Sequence, residues 1–172
     1  MADDLDALRR SALEEEIAID PFEGYMAAEV SSDKMFGMTA AEFAALFQGV
    51  GKPEVFAHAS YHLTGFMNEK PLATLRSDLA ALGLSRDEQS LETEDHVSYL
   101  FEVMRYLIAG DDVAVCNLEQ QRRFFRAHLQ TWVEALCAAT LAHPRADTWR
   151  AVAAFTREFM LVETQGFDLL EA

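Results

Sequence analysis

The sequence holds little of what cross-links or punctuates a chain: two cysteines, four prolines and eight glycines in 172 residues. Cys116 and Cys137 lie in unrelated contexts without CxxC or zinc-site spacing, so a disulfide framework is excluded and reduced, partly buried thiols are expected. So few turn-forming residues weigh against the closely spaced hairpins of a β-sandwich. Positive charge is scarce as well. Fourteen Lys and Arg stand against 29 Asp and Glu, a formal charge of -15, and a nucleic acid or an anionic membrane would meet a repulsive field. No uncharged stretch approaches the roughly 18 apolar residues of a membrane span. The start, Met1-Ala2-Asp3-Asp4-Leu5-Asp6, has neither the positive charge nor the apolar run of a secretory signal. A cytoplasmic location without stable membrane insertion is therefore the expectation, with no nucleic-acid partner.

What is present is 51% hydrophobic residues with 25% charged ones, rich in alanine and leucine, which predicts an all-α, single-domain bundle over residues 1–172. An acidic helix is expected from Asp3 to Ile19, ended by Asp20-Pro21, followed from Pro21 to Gly37 by a loop with room for a short helix. Thr39-Ala40-Ala41-Glu42 has the capping-box pattern and predicts the start of a short helix to about Gln48. Pro53 suits the first turn of a helix whose apolar face is Val55, Phe56, Ala59, Leu63 and Phe66, broken at Asn68 to Lys70. Pro71 opens the next helix, Leu72, Leu75, Leu79 and Leu82 recur along it, and Gly83 stands at the left-handed closing position. From Thr93 to Ala109 one face carries His96, Tyr99, Leu100, Val103, Met104 and Leu107, widened by Val97, Phe101 and Ile108. Asn117 with Gln120 can cap a long helix running toward His143-Pro144. The last helix begins after Asp147 with Trp149, Val152, Phe155, Phe159 and Val162 at helical spacing.

Chemical motifs are few. His58 and His62 are four residues apart, but Ala59 stands where a zinc-protease helix needs glutamate, and no histidine has an acidic residue three positions before it, as a ferritin-like di-metal site requires. Glu54/His58 and Glu92/His96, also spaced by four, read as helix-surface pairs. No GxSxG elbow occurs, and Gly49-Val50-Gly51-Lys52 lacks the first P-loop glycine and is followed by Pro53. No catalytic residue, metal ligand or cofactor is assigned, and a carboxylate/histidine metal enzyme is the weaker alternative. In Glu92-Thr93-Glu94-Asp95-His96, Thr93 is the expected N-cap and Glu94 and Asp95 face the positive helix end, Asp95 near solvent, while His96 enters the apolar stripe.

Glu92-x-x-Asp95-His96 resembles the E-P-x-D-H signature of the TorD/DmsD/NarJ redox-enzyme maturation chaperones. Downstream, Gln121-Arg122-Arg123-Phe124-Phe125-Arg126-Ala127-His128-Leu129-Gln130-Thr131-Trp132 resembles their Q-x-x-F-F-x-x-H-L-x-P-W segment. The likeness is best over residues 92–163, compatible over 56–84 and weak before 50. It departs at Thr93 and Thr131, each of which replaces a proline; the first substitutes a capping hydroxyl for a preset backbone angle, and the second is expected to remove a kink or helix break. What the resemblance implies is a non-enzymatic helical chaperone. Its partner would be the apo form of a molybdenum-cofactor oxidoreductase subunit, recognised through that subunit's twin-arginine signal peptide, with export delayed until cofactor insertion. The residues implied to contact the client are Glu92, Asp95, His96 and Tyr99 from the first segment and Gln121, Phe124, His128 and Trp132 from the second. A helical adaptor for another client, and monomer or domain-swapped homodimer, stay open.

Overall fold

Pro71 near the start and Gly83 just past the end bracket the helix that the sequence marks most clearly. In the computed structural model it runs Lys70–Ala81, and Gly83 has φ 72°. The Leu84 amide donates to the Leu79 carbonyl and the Gly83 amide to that of Ala80, the paired bonds that close a helix through a left-handed residue. The structure describes residues 32–48, 52–86 and 92–170. Among them are seven helices: α1 Ser32–Phe47, α2 Ala59–Thr64, α3 Lys70–Ala81, α4 Val97–Ala109, α5 Leu118–His128, α6 Val133–Ala142 and α7 Thr148–Leu169. The described residues contain no β-strand, only an isolated antiparallel bridge between His58 and His96. The expected helix from Asp3 to Ile19 lies outside the described residues.

From Thr39 onward these elements form one compact unit. In it α6 lies along α7, α4 along α5, and α2 touches α3 and α6. The core takes Leu75 and Leu79 from α3, Leu100 and Leu107 from α4, Phe124 and Phe125 from α5, and Val133 from α6. The stripe expected on α4 is buried at Leu100, Met104 and Leu107, but Ile108 is 62% exposed.

Four local expectations are corrected. Thr39 to Glu42 does not start a helix, because α1 already begins at Ser32, inside the segment read as a loop with room for a short helix. The Glu42 carboxylate accepts instead from the amides of Asp147, Thr148 and Trp149, at 2.7, 3.1 and 3.0 Å. It thus caps α7, whose own N-cap residue Asp147 makes no side-chain cap bond. Burial opposes the Glu42 charge, yet these bonds hold its carboxyl below the usual glutamate value. The rings of Phe43 and Phe47 each lie 5.4 Å from that of Trp149 and secure the same junction.

The second correction concerns the segment after Pro53, which is helical only over α2. Residues 55–58 are spent on pairing: the Val97 amide donates to the Ala57 carbonyl and the Ala59 amide to that of Asp95, which removes those groups from any helix ladder. Leu63 and Phe66, expected on an apolar face, are 43% and 69% exposed. Third, the long helix capped by Asn117 does start there, with the Gln120 amide 3.1 Å from the Asn117 side-chain oxygen, but it breaks between α5 and α6. Fourth, of the apolar residues noted at helical spacing along α7, Trp149 packs on α1 but Val152, Phe155, Phe159 and Val162 are exposed, and Ala153, Met160 and Phe167 face the core.

Candidate functional site

The first motif is a turn before it is a helix. His96, and not Thr93, is the N-cap of α4: its Nδ1 accepts from the Ser98 amide at 3.2 Å, with the Ser98 hydroxyl 2.7 Å away. Thr93 is displaced from that role because its hydroxyl donates to Asp95 Oδ1 at 2.7 Å. Asp95 is not near solvent. It is 1% exposed, and its Oδ2 accepts from the Ser60 amide at 2.9 Å, in the first turn of α2. α2 therefore takes its cap from the first motif, since its own N-cap residue, His58, makes no side-chain cap bond. Burial alone would raise the Asp95 carboxyl, but the bonds from Ser60 and Thr93 and the nearby His58 outweigh it and hold it below the usual aspartate value.

The other acidic residues of the motif reach different neighbours. Glu94, also buried, takes two bonds from Arg76 of α3, at 3.0 and 2.9 Å, and that guanidinium holds its carboxyl low despite burial. Glu92 is exposed and lies 3.1 Å from His58 Nε2, while Glu54 pairs with His143 at 2.6 Å. The pairs expected within Glu54/His58 and Glu92/His96 give way to longer-range ones, because His58 is extended and His96 is itself the N-cap of α4, so neither four-residue spacing runs along a helix. The rings of His58 and His96 meet edge to face at 4.9 Å. Tyr99 is half-buried one turn into α4.

The second motif builds the α5–α6 junction. Gln121 donates from Nε2 to the Leu107 carbonyl at 2.9 Å, tying α5 to α4. Phe124 is buried with its ring 4.8 Å from that of His128. His128 is 8% exposed and donates from Nε2 to Asp78 of α3 at 2.8 Å. Trp132 is 2% exposed, stacks on His62 at 5.4 Å, and its indole N–H donates to the His128 carbonyl at 2.6 Å. In an unbroken helix that carbonyl would take the backbone amide of residue 132, which here donates to Leu129. The helix break expected to vanish with the proline is thus retained at Thr131, fastened by the tryptophan side chain.

The two motifs converge. Asp95 and His128 both line a cleft of about 380 Å³, walled by Ala59, Leu63, Pro71, Leu75 and Leu100, with Lys70 among its lining residues. Tertiary partners without a local signature in the sequence hold the motif residues in place: Ser60, Arg76 and Asp78 bind them from 18 to 50 positions away. Among the described residues no three His, Cys, Asp or Glu side chains are grouped to hold a metal ion. Burial pushes the Cys137 thiol up, and Cys116 is half-buried.

Burial pushes His62, His96 and His128 below the ordinary histidine value of 6.5, although Asp78 acts the other way on His128. Below 6.5 the unfolded chain takes up these protons first, so stability present at neutral pH should decline as pH falls from about 6.5 toward the folded values. For His96 the reason is structural: a protonated Nδ1 no longer accepts the Ser98 amide, and a cap of this kind contributes about 1 kcal/mol. Urea denaturation of His96→Asn, which keeps an acceptor that does not titrate, should show a shallower loss between pH 7 and 5 than wild type. Equal slopes would remove His96 from the account.

The family model described as nitrate reductase delta subunit matches residues 13–138, which includes both motifs and reaches well into the amino-terminal part where the motif likeness is weak. No curated protein and no solved structure matches the chain. No helix among the described residues is long and apolar enough to cross a membrane. With the match covering most of its length and the described residues all-helical, the chain belongs to the nitrate reductase delta subunit family, within the TorD/DmsD/NarJ chaperones, and is a non-enzymatic assembly chaperone for a molybdoenzyme subunit of the nitrate reductase type.

Proposed function

We propose that this chaperone holds the apo catalytic subunit in the cytoplasm by a basic and then apolar segment near that subunit's amino terminus, of the twin-arginine kind, until the molybdenum cofactor is in place. The observation that supports this most is the meeting of both motifs at one cleft, with Asp95 and His128 beside apolar walls. A segment of that composition needs acidic surface next to an apolar recess. The chain supplies the first through its charge of -15. On this reading Glu92, exposed, with half-buried His96 and Tyr99 on the following turn, meets the client directly. Gln121, Phe124 and Trp132 contribute by fixing the walls, and Asp95 and His128 by both shape and polarity.

The test is a titration of the full chain against a labelled client peptide carrying the two arginines, and against one with both replaced by glutamine. Loss of a charge-assisted contact should weaken binding about tenfold or more. The arginine peptide should also bind less tightly at about 500 than at about 50 mM salt. Equal affinity for the two peptides would reject the acidic surface as the recognition element. Retention of the intact subunit without any peptide binding would reject the signal-segment reading while leaving the family assignment untouched.

A further inference from the structure

The apolar residues on the outer face of α7 follow a strict order: Val152, Phe155, Phe159, Val162, Gly166 and Leu169 are separated by three, four, three, four and three positions. That is the seam of a two-helix coiled coil, and it runs beside, not along, the Ala153, Met160 and Phe167 row that faces the core. The seam is open. Phe155 is 72% exposed, Val162 64% and Leu169 77%, and the Phe155 and Phe159 rings lie nearly parallel at 6.3 Å. Solitary exposed apolar residues are ordinary, but a contiguous ridge of them at this spacing calls for a helix laid along it.

We propose that the occupant is α7 of a second copy, packed antiparallel about a twofold axis that passes between Phe159 and Val162. Set so that Phe159 faces Val162 of the second copy, the pairing brings Phe155 over Gly166 and Val152 over Leu169. The most exposed phenylalanine of the seam then meets the one position without a side chain, where even an added Cβ would find nothing within 4 Å. A parallel pair would stack Phe155 on Phe155 and leave a void between two glycines. Charge decides the same way. Parallel packing sets Glu158 against Glu163 of the second copy, a like-charge contact, whereas antiparallel packing sets Glu158 near Gln165 and Glu163 near Thr156. The surface is self-complementary, as a closed twofold dimer requires. A contact of one helix pair is small beside the roughly 1,200–2,000 Å² of stable interfaces, so dissociation in the micromolar range is expected.

Sedimentation equilibrium of the full chain over about 1–200 μM tests this, and a reversible dimer is expected across that range. Phe155→Glu and Val162→Glu, at exposed positions that leave the core untouched, should each raise the dissociation constant at least ~30-fold, with unchanged helical circular dichroism. Gln165→Lys should tighten the dimer about two- to fivefold by facing Glu158 of the second copy. A wild-type monomer throughout, or a dimer indifferent to both glutamates, overturns the proposal, and a Gln165→Lys dimer no tighter than wild type overturns the antiparallel order. A wild-type monomer whose client-peptide affinity falls in Phe155→Glu would give the face to the client instead.

Discussion

Trp132→Ala should lower the unfolding free energy by about 4 kcal/mol, the usual scale for emptying a buried tryptophan site. For a chain of this length that is a fall of roughly 8–16 °C in Tm. The ring is all but inaccessible, packs on His62, and its N–H holds the His128 carbonyl, whose helical backbone donor turns to Leu129 at the break between α5 and α6. Trp132→Phe separates the two contributions, since it keeps most of the ring and deletes the donor. Its expected cost is about 1–2 kcal/mol for a buried carbonyl left unpaired. A Trp132→Phe cost within the scatter of surface substitutions would mean that packing alone closes the break.

Asp95→Ala should cost about 3 kcal/mol, because it strands the Ser60 amide and the Thr93 hydroxyl in a buried setting and removes charge-assisted bonds to both. Asp95→Asn keeps one acceptor in place and should cost about half as much. The pH dependence identifies the charge. A carboxyl held below its ordinary value of 3.8 contributes stability that is complete above that value and is lost as pH falls through the folded one. The acid limb of a stability profile should therefore flatten below about pH 4 in Asp95→Asn. If Asp95→Asn instead melts like wild type and loses only client affinity, the carboxylate serves the client and not α2.

Where the chain settles its own polar groups within a few residues, the structure could be read in advance. Pro71 and Gly83 delimit α3, Asn117 caps α5, and Leu100, Met104 and Leu107 seat α4. Both segments of the maturation-chaperone likeness were also visible as sequence, and they meet at the cleft. What was not legible is every bond that crosses between elements. Thr39 and Glu42 have capping spacing, but Glu42 finds stronger use at the uncapped start of α7. Asp95 looks like an ordinary helix-end charge until the Ser60 amide, 35 positions earlier, is placed beside it. Helical periodicity on α7 marked an amphipathic face correctly but could not say which side the bundle would cover, since Ala153 and Met160 are no more apolar than Phe155 and Val162.

The Glu42 cap has a consequence for biosynthesis. Its carboxylate is translated 105 residues before the first amide it will hold, so a nascent chain carries it as a bare surface charge until the opening turn of α7 has left the ribosome. α7 in turn cannot complete its own first turn from within, because Asp147 supplies no side-chain cap. Folding of this unit thus cannot finish in order of synthesis: α1 waits for α7, and closing so long a loop adds an entropic delay. A chaperone that oversees the completion of another protein is, by this one bond, unable to complete itself until α7 has been made.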